Sequence, residues 1–198
     1  MLNDQAFALL DRLAHDLRAP IHNLLALCEL LTSGTYGPVA PALEEPLADL
    51  QAQGTRMQDL VEETLDLVRL GGGRYQPEPS ELSPSIAIER VAARYGAVVS
   101  GRAGATLHQD AAKLERMLDR LVRHAARTGR PTIEMALASA LVVRIFPVAD
   151  AAFDPLAAPQ PLGPSVARAL ARLCKGDVTL ENGAFVLTLP DWRSMQDA

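Results

Sequence analysis

Apolar side chains recur at alternating steps of three and four through the start of the chain. Phe7, Leu10, Ala14, Leu17, Ile21, Leu24, Cys28 and Leu31 fall on heptad a and d positions. That spacing predicts one long helix, capped at its start by Asn3 or Asp4 and stopped by Ser33-Gly34. After the turn Gly34-Thr35-Tyr36-Gly37-Pro38 the pattern returns at Leu43, Leu47, Leu50, Gly54, Met57, Val61, Thr64 and Val68, widened by Leu60 and Leu65. Pro41 and Pro46 belong at or near the start of this second helix, because a mid-helix proline costs roughly 3 kcal/mol. The run ends at Gly71-Gly72-Gly73. Two antiparallel helices with apolar seams cannot close a core alone, whereas two such hairpins can form a four-helix bundle. A homodimer is therefore expected.

Beyond the hairpin the periodicity changes. Residues 71–84, with their glycines, prolines and polar side chains, read as a linker. Residues 85–95 read as a short helix. Residues 110–128 read as a clearer one, with Leu114, Met117, Leu118, Leu121 and Ala125 on one face. Residues 132–138 and 141–148 read as strands and 164–173 as a helix. Residues 178–181 and 184–189 form a hairpin around Asn182-Gly183, a strong turn dipeptide. His108, standing alone before a helix, is read as a turn residue. Helices interspersed with mainly antiparallel strands predict a small α/β layer domain. The whole is then α+β, with a helical hairpin over 1–75 and a second domain over 76–198.

Composition narrows the function classes. Of 198 residues, 48% are hydrophobic but only 4% aromatic, so the core is built from Leu, Val and Ala, which favours packed helices. A net charge of −5 argues against a nucleic-acid partner, since phosphate neutralisation needs a basic surface. No apolar run is long enough to span a membrane, and MLNDQAF lacks a basic leader region. Cys28 and Cys174 are far apart and outside any ligand-spaced motif, as expected of reduced, buried small hydrophobes. A cytoplasmic protein without membrane contact is expected.

Candidate chemistry begins on the first helix. Asp11, His15, Arg18 and His22 are spaced four, three and four apart, one stripe outside the apolar seam. His15 sits at heptad position b, exposed, with Asp16 beside it; a carboxylate hydrogen-bonded to one ring nitrogen makes the other more nucleophilic. Pro20, one turn on, removes the backbone bond to Asp16 and is expected to loosen the helix there. By spacing alone, a surface histidine on a charged face is the favoured explanation. A tetrahedral metal site on this helix surface stays incomplete, so no metal is expected.

The wording of the segment adds more. Leu13-Ala14-His15-Asp16-Leu17-Arg18-Ala19-Pro20 resembles the phospho-acceptor box of bacterial sensor histidine kinases, H-[ED]-L-R-[TS]-P. The similarity continues through Glu29-Leu30-Leu31 and Tyr36-Gly37-Pro38 to Leu70-Gly71-Gly72-Gly73-Arg74. The resemblance implies that His15 is the phosphorylated residue and Asp16 its acid/base partner, with Arg18 completing the site. It also implies a homodimeric bundle that docks a response-regulator receiver domain.

The second half resembles the same family's ATP-binding (Bergerat-type) domain with its nucleotide residues altered. Asp110-Ala111-Ala112-Lys113-Leu114 through Arg120-Leu121-Val122-Arg123-His124-Ala125 resembles D-x-x-x-L…N-L-L-x-N-A, with His124 and Arg120 where asparagines stand. An imidazole is a poor oxygen-donor substitute for hard magnesium. Val148-Ala149-Asp150-Ala151-Ala152 replaces D-x-G-x-G, and Pro159-Gln160-Pro161-Leu162-Gly163, followed by Pro164-Ser165, replaces G-x-G-L-G. Prolines remove the N–H groups that would receive phosphates. No ATP and no other cofactor is therefore expected. Arg116, Arg120, Arg123 and Arg127 form a basic stripe, read as a solvated face.

The preferred reading is a stand-alone histidine phosphotransferase that relays a phosphoryl group through His15 between receiver domains. The absence of a sensor segment ahead of the first helix agrees with a relay component. The alternatives are a non-catalytic pseudokinase scaffold that docks a response regulator or kinase, and an ATP-dependent kinase with a divergent nucleotide site.

Overall fold

The structure is a computed structural model that describes residues 4–73, 75–102, 104–147 and 162–196. The chain divides into two compact units, Met1–Arg74 and Tyr75–Ala198.

The first unit is the expected hairpin, α1 (Asp4–Thr32) and α2 (Pro41–Gly71). Pro20 lies inside α1 without ending it, so the expected loosening does not interrupt the helix. Pro41 occupies the first turn of α2, where its missing N–H has no intrahelical partner to lose, while Pro46 is accommodated just inside. The predicted apolar stripe is split by the tertiary structure. Ala14, Ile21 and Cys28, each seven residues from the next, are buried against α2, together with Leu65 from the facing helix. At Gly54 the helices meet closely: a Cβ there would lie 2.8 Å and 2.9 Å from methyl groups of Leu25 and Leu24. The other half of the stripe stays exposed, including Leu17, Leu31, Leu50, Met57 and Leu60. Across the hairpin, Arg69 donates through Nη2 and Nε to Asp11 Oδ1 at 2.8 Å and 3.1 Å.

The second unit is a five-stranded sheet in the order β2-β4-β5-β7-β6, covered by helices. Its members are α3 (Pro84–Tyr95), β2 (Val98–Arg102), α4 (Ala111–Ala126), β4 (Thr132–Leu137), β5 (Ala140–Phe146), α5 (Leu162–Leu173), β6 (Asp177–Glu181) and β7 (Ala184–Pro190). Ahead of α3 and α4 lie β1 (Ser80–Leu82) and β3 (Leu107–Gln109), a separate antiparallel pair. Every contact in the five-stranded sheet is antiparallel except β2–β4, which is parallel. Register places Ile145 opposite Ile133 and Phe185, and Val143 opposite Met135 and Leu187, so alternate residues share the buried face. Leu114, Leu118 and Leu121 of α4 and Val166 and Leu170 of α5 complete that core, all fully buried. Asn182 and Gly183 both adopt positive φ (51° and 72°), as a tight hairpin turn demands.

Three sequence expectations are corrected here. The linker carries strand β1, because its partner β3 lies 25 or more residues away and no local pattern announces it. His108 is a strand residue paired with Glu81, and its carbonyl accepts from the Trp192 N–H at 3.1 Å. The basic stripe is a solvated face only at its ends: Arg116 and Arg127 are exposed, whereas Arg120 is buried and Arg123 is bound to Asp119 at 2.7 Å and to the Tyr95 hydroxyl at 3.1 Å.

Candidate functional site

The outward face of α1 carries the candidate chemistry. Residues 15, 18, 19, 22 and 23 recur at helical spacing, so their side chains stand over successive turns of one face. His15, Arg18, Ala19, His22 and Asn23 line an open groove of about 470 Å³, whose far wall is Gln58 of α2. His15 is exposed, as its b position predicts.

Neither Asp11 nor Asp16 lines this groove. Asp11, expected on the same stripe, is turned to Arg69 of α2. Asp16 is exposed and lies 3.9 Å from Arg12. The structure thus brings His15 together with Arg18 and His22, and places the Asp16 carboxylate beside a guanidinium. A groove lined by two imidazoles and a guanidinium, with no carboxylate among its lining residues, suits an anion. Sequence spacing had not selected Asn23 or Gln58. Asn23 sits beside His22 and was available to inspection; Gln58 faces the groove only because of how the hairpin closes.

In the second unit, the residues aligned with the nucleotide boxes are occupied in other ways. The His124 ring stands edge-on to Phe185, with centroids 5.4 Å apart and planes at 69°. Arg116 donates to the Tyr75 hydroxyl, and its guanidinium and the Lys113 ammonium lie 5.8 Å and 5.9 Å from the Tyr75 ring centre. Burial pushes the Tyr95 hydroxyl above its usual range, against the opposing pull of Arg123. Gly163 and Pro164 are buried in the first turn of α5, where the proline contributes no N–H. The boxes expected at 148–152 and 159–161 lie outside the described residues.

Asp110 caps α4 and ties the preceding segment to it. Its Oδ1 accepts from the Lys113 N–H at 2.9 Å, and its Oδ2 accepts from Lys113 Nζ at 2.5 Å and from the Glu78 N–H at 2.8 Å. Burial pushes this carboxyl up, but the bonds from Glu78 and Lys113 outweigh it and hold it below the ordinary range. Cys174, buried as expected, has its thiol pushed up to about 11 by desolvation and then by Asp110, so it is not a reactive thiolate. Cys28 is buried in the hairpin seam. Among the described residues no group of three His, Cys, Asp or Glu could hold a metal ion, and no helix is long and apolar enough to cross a membrane.

Comparison with known proteins places these features. Residues 8–73 match the His Kinase A (phospho-acceptor) domain family. The sensor protein CseC of Streptomyces avermitilis is 30% identical over 130 residues, and that of Streptomyces coelicolor 31% identical over 130 residues, each match covering 63% of this chain. The chain spans only 24% and 23% of the length of those relatives. Among solved structures, the Acinetobacter baumannii histidine kinase AdeS superposes with a TM-score of 0.58 at 19% identity, covering 89% of this chain and 98% of that one. Full-length ShkA in complex with AMPPNP gives 0.62 at 17% identity, covering 92% of this chain and 45% of that one. These structures share the fold: a helical hairpin followed by a small α/β sheet domain.

Proposed function

We propose, from the premise that this chain is a histidine-kinase-like two-component signalling protein of the bacterial sensor histidine kinase family, that it works as a histidine phosphotransferase through His15. The observation that carries the reading is the placement of His15. It is exposed on α1, in a groove shared with Arg18 and free of lining carboxylates, within the segment that matches a phospho-acceptor domain. In this reading a receiver domain presents a phospho-aspartate to the groove. A His15 ring nitrogen attacks phosphorus, the N–P bond forms, and the aspartyl carboxylate leaves with the electrons of the broken P–O bond. The proton on the other ring nitrogen passes to water or to Asp16. Arg18 stabilises the charge spread over the phosphoryl oxygens.

The partner is a response-regulator receiver domain, and the working unit is a homodimer. The exposed seam supports the second point: Leu10, Leu13, Leu17, Leu60 and Val68 are among the residues lining an apolar groove of about 210 Å³ on the hairpin. Exposed apolar surface of this kind marks an association site.

The second unit is read as having lost ATP binding. A magnesium ion would need hard oxygen donors, and the residue at the expected position is an imidazole set against Phe185. Arg120, where the resemblance places the other asparagine, is buried in α4, and Pro164 offers no N–H to phosphate. The residues present do not fit magnesium-ATP. That same loss favours a second reading, a non-catalytic scaffold that docks a regulator. One experiment separates the two: a phosphorylated receiver domain is mixed with the protein and with His15→Ala. The transferase reading expects label on the wild-type chain and none on the variant, whereas a wild-type chain that takes no label supports the scaffold. Labelling from radioactive ATP, or micromolar affinity for magnesium-ATP by calorimetry, would restore the kinase.

A further inference from the structure

His15 has two carboxylates within one turn on its own helix, and helical geometry separates them. Asp16 is its neighbour in sequence, but adjacent positions on a helix do not face one another, and Asp16 lies 3.9 Å from Arg12. Asp11 stands one turn before His15. Residues four apart on a helix share a face, with Cβ atoms about 5–6 Å apart, and helical side chains lean toward the N-terminus. The natural lean of the His15 ring is therefore back over the turn that carries Asp11.

The way Arg69 holds Asp11 matters as much. Both contacts from the guanidinium, Nη2 at 2.8 Å and Nε at 3.1 Å, fall on the same oxygen, Oδ1. Among the described residues Asp11 Oδ2 takes no hydrogen bond, and neither ring nitrogen of His15 makes one. The carboxylate is thus anchored from α2 with one acceptor oxygen left over, and the exposed ring one turn on has a donor to give. Rotation about side-chain torsions brings a carboxylate and an imidazole at this spacing to hydrogen-bond distance, about 2.7–2.9 Å, without moving the backbone. An acid placed N-terminal to a base at this spacing is also the favoured order on a helix.

We propose that Asp11, anchored by Arg69, is a positioning residue for His15, its Oδ2 accepting a hydrogen bond from the ring nitrogen that does not attack phosphorus. The proposal rests on the reading of His15 as acceptor. That bond fixes which nitrogen carries the proton and which is free to attack, and it meets the positive charge that grows on the ring as the N–P bond forms. Asp11 touches neither phosphorus nor its oxygens and takes no covalent part. The bond made is N–P at His15, and the bond broken joins phosphorus to the donor's leaving group.

The test uses the full chain and two readouts. Potassium phosphoramidate, a small donor that needs no protein partner, labels His15 as its P–N bond breaks and ammonia leaves the N-protonated donor with the electron pair. Phosphohistidine is followed by phosphorus NMR and placed by peptide mass spectrometry. Nitrogen-15 shifts of the unphosphorylated His15 ring report its tautomer. Asp11→Ala is expected to label roughly fivefold more slowly, the scale of one exposed hydrogen bond, and to shift the His15 tautomer balance. Asp11→Glu, which keeps a carboxylate one turn from the ring, is expected to recover most of the rate, whereas Asp11→Leu stays slow. Arg69→Ala removes the same ion pair but leaves the carboxylate, and is expected to lose less than Asp11→Ala does. An unchanged rate in Asp11→Ala, or nitrogen shifts that do not move, would overturn the positioning role and leave His15 as acceptor. Arg69→Ala as slow as Asp11→Ala would mean that only the ion pair across the hairpin matters. Arg69→Ala faster than wild type would mean that Arg69 withholds the carboxylate from the ring. Either result defeats the proposal, as does Asp11→Glu no faster than Asp11→Leu. A wild-type chain that never labels would sink the acceptor reading and the role of Asp11 with it.

Discussion

At the scale of single residues, Ala19 decides which reactions the groove can support. One turn beyond His15, a hydroxyl or amide could hold a water in line with a partner's phospho-aspartate; a methyl group can neither donate nor accept a hydrogen bond. The protein is therefore expected to exchange phosphoryl groups without accelerating their hydrolysis. Phosphate release from a phosphorylated receiver should be followed with His15→Ala, so that back-transfer does not register as hydrolysis. No acceleration is expected, and Ala19→Thr in that background should gain it. A several-fold acceleration by His15→Ala alone would refute the positional argument. Asp110 makes a prediction of a different kind. Its folded carboxyl titrates below the ordinary value, so the stability it contributes is fully present above about pH 4 and is lost as pH falls through the lowered folded value. Asp110→Asn should flatten the acid limb of a urea-denaturation series, and an unchanged limb would show that the bonds to Glu78 and Lys113 contribute little.

Among the elements, the α1–α2 contact turns on Gly54. Its missing side chain admits the Leu24 and Leu25 methyls at distances no Cβ tolerates. Gly54→Val should force both leucines aside and destabilise the hairpin by about 1–3 kcal/mol, measured as a lowered denaturation midpoint. A midpoint at or above wild type would mean the leucines repack freely and the better helix propensity wins. The Asp11–Arg69 pair across the same contact is more than a third exposed on both sides, so removing it should cost at most about 1 kcal/mol. In the second unit, Gln109 performs the equivalent joining role between distant elements. Its amide donates to the Cys174 carbonyl at 3.0 Å and the Pro190 carbonyl at 2.9 Å, fixing β3 to the ends of α5 and β7.

For the whole molecule, the half of the heptad stripe left outside the hairpin argues for a dimer. Leu17 and Leu60, exposed at 38% and 45%, line the apolar groove. Leu17→Glu combined with Leu60→Glu should yield a folded monomer by light scattering at micromolar concentration, where a dimer is expected of the wild type. A wild-type monomer would remove the bundle. How far the chain could be read in advance follows from the range of each interaction. Helical period, turn glycines, the Asn182-Gly183 hairpin and the position of His15 outside the seam are local properties, set within a few residues, and they were legible. Which half of the stripe faces α2, the pairing of β1 with β3 and the parallel β2–β4 contact were not, because their partners are remote in sequence. The same holds for the site. The sequence by itself determined that an imidazole and a guanidinium share an exposed face of α1. Only the tertiary structure decided that Gln58 walls that face into a groove and that Arg69 takes Asp11 out of it, since both come from the other helix and arrive only when the hairpin closes.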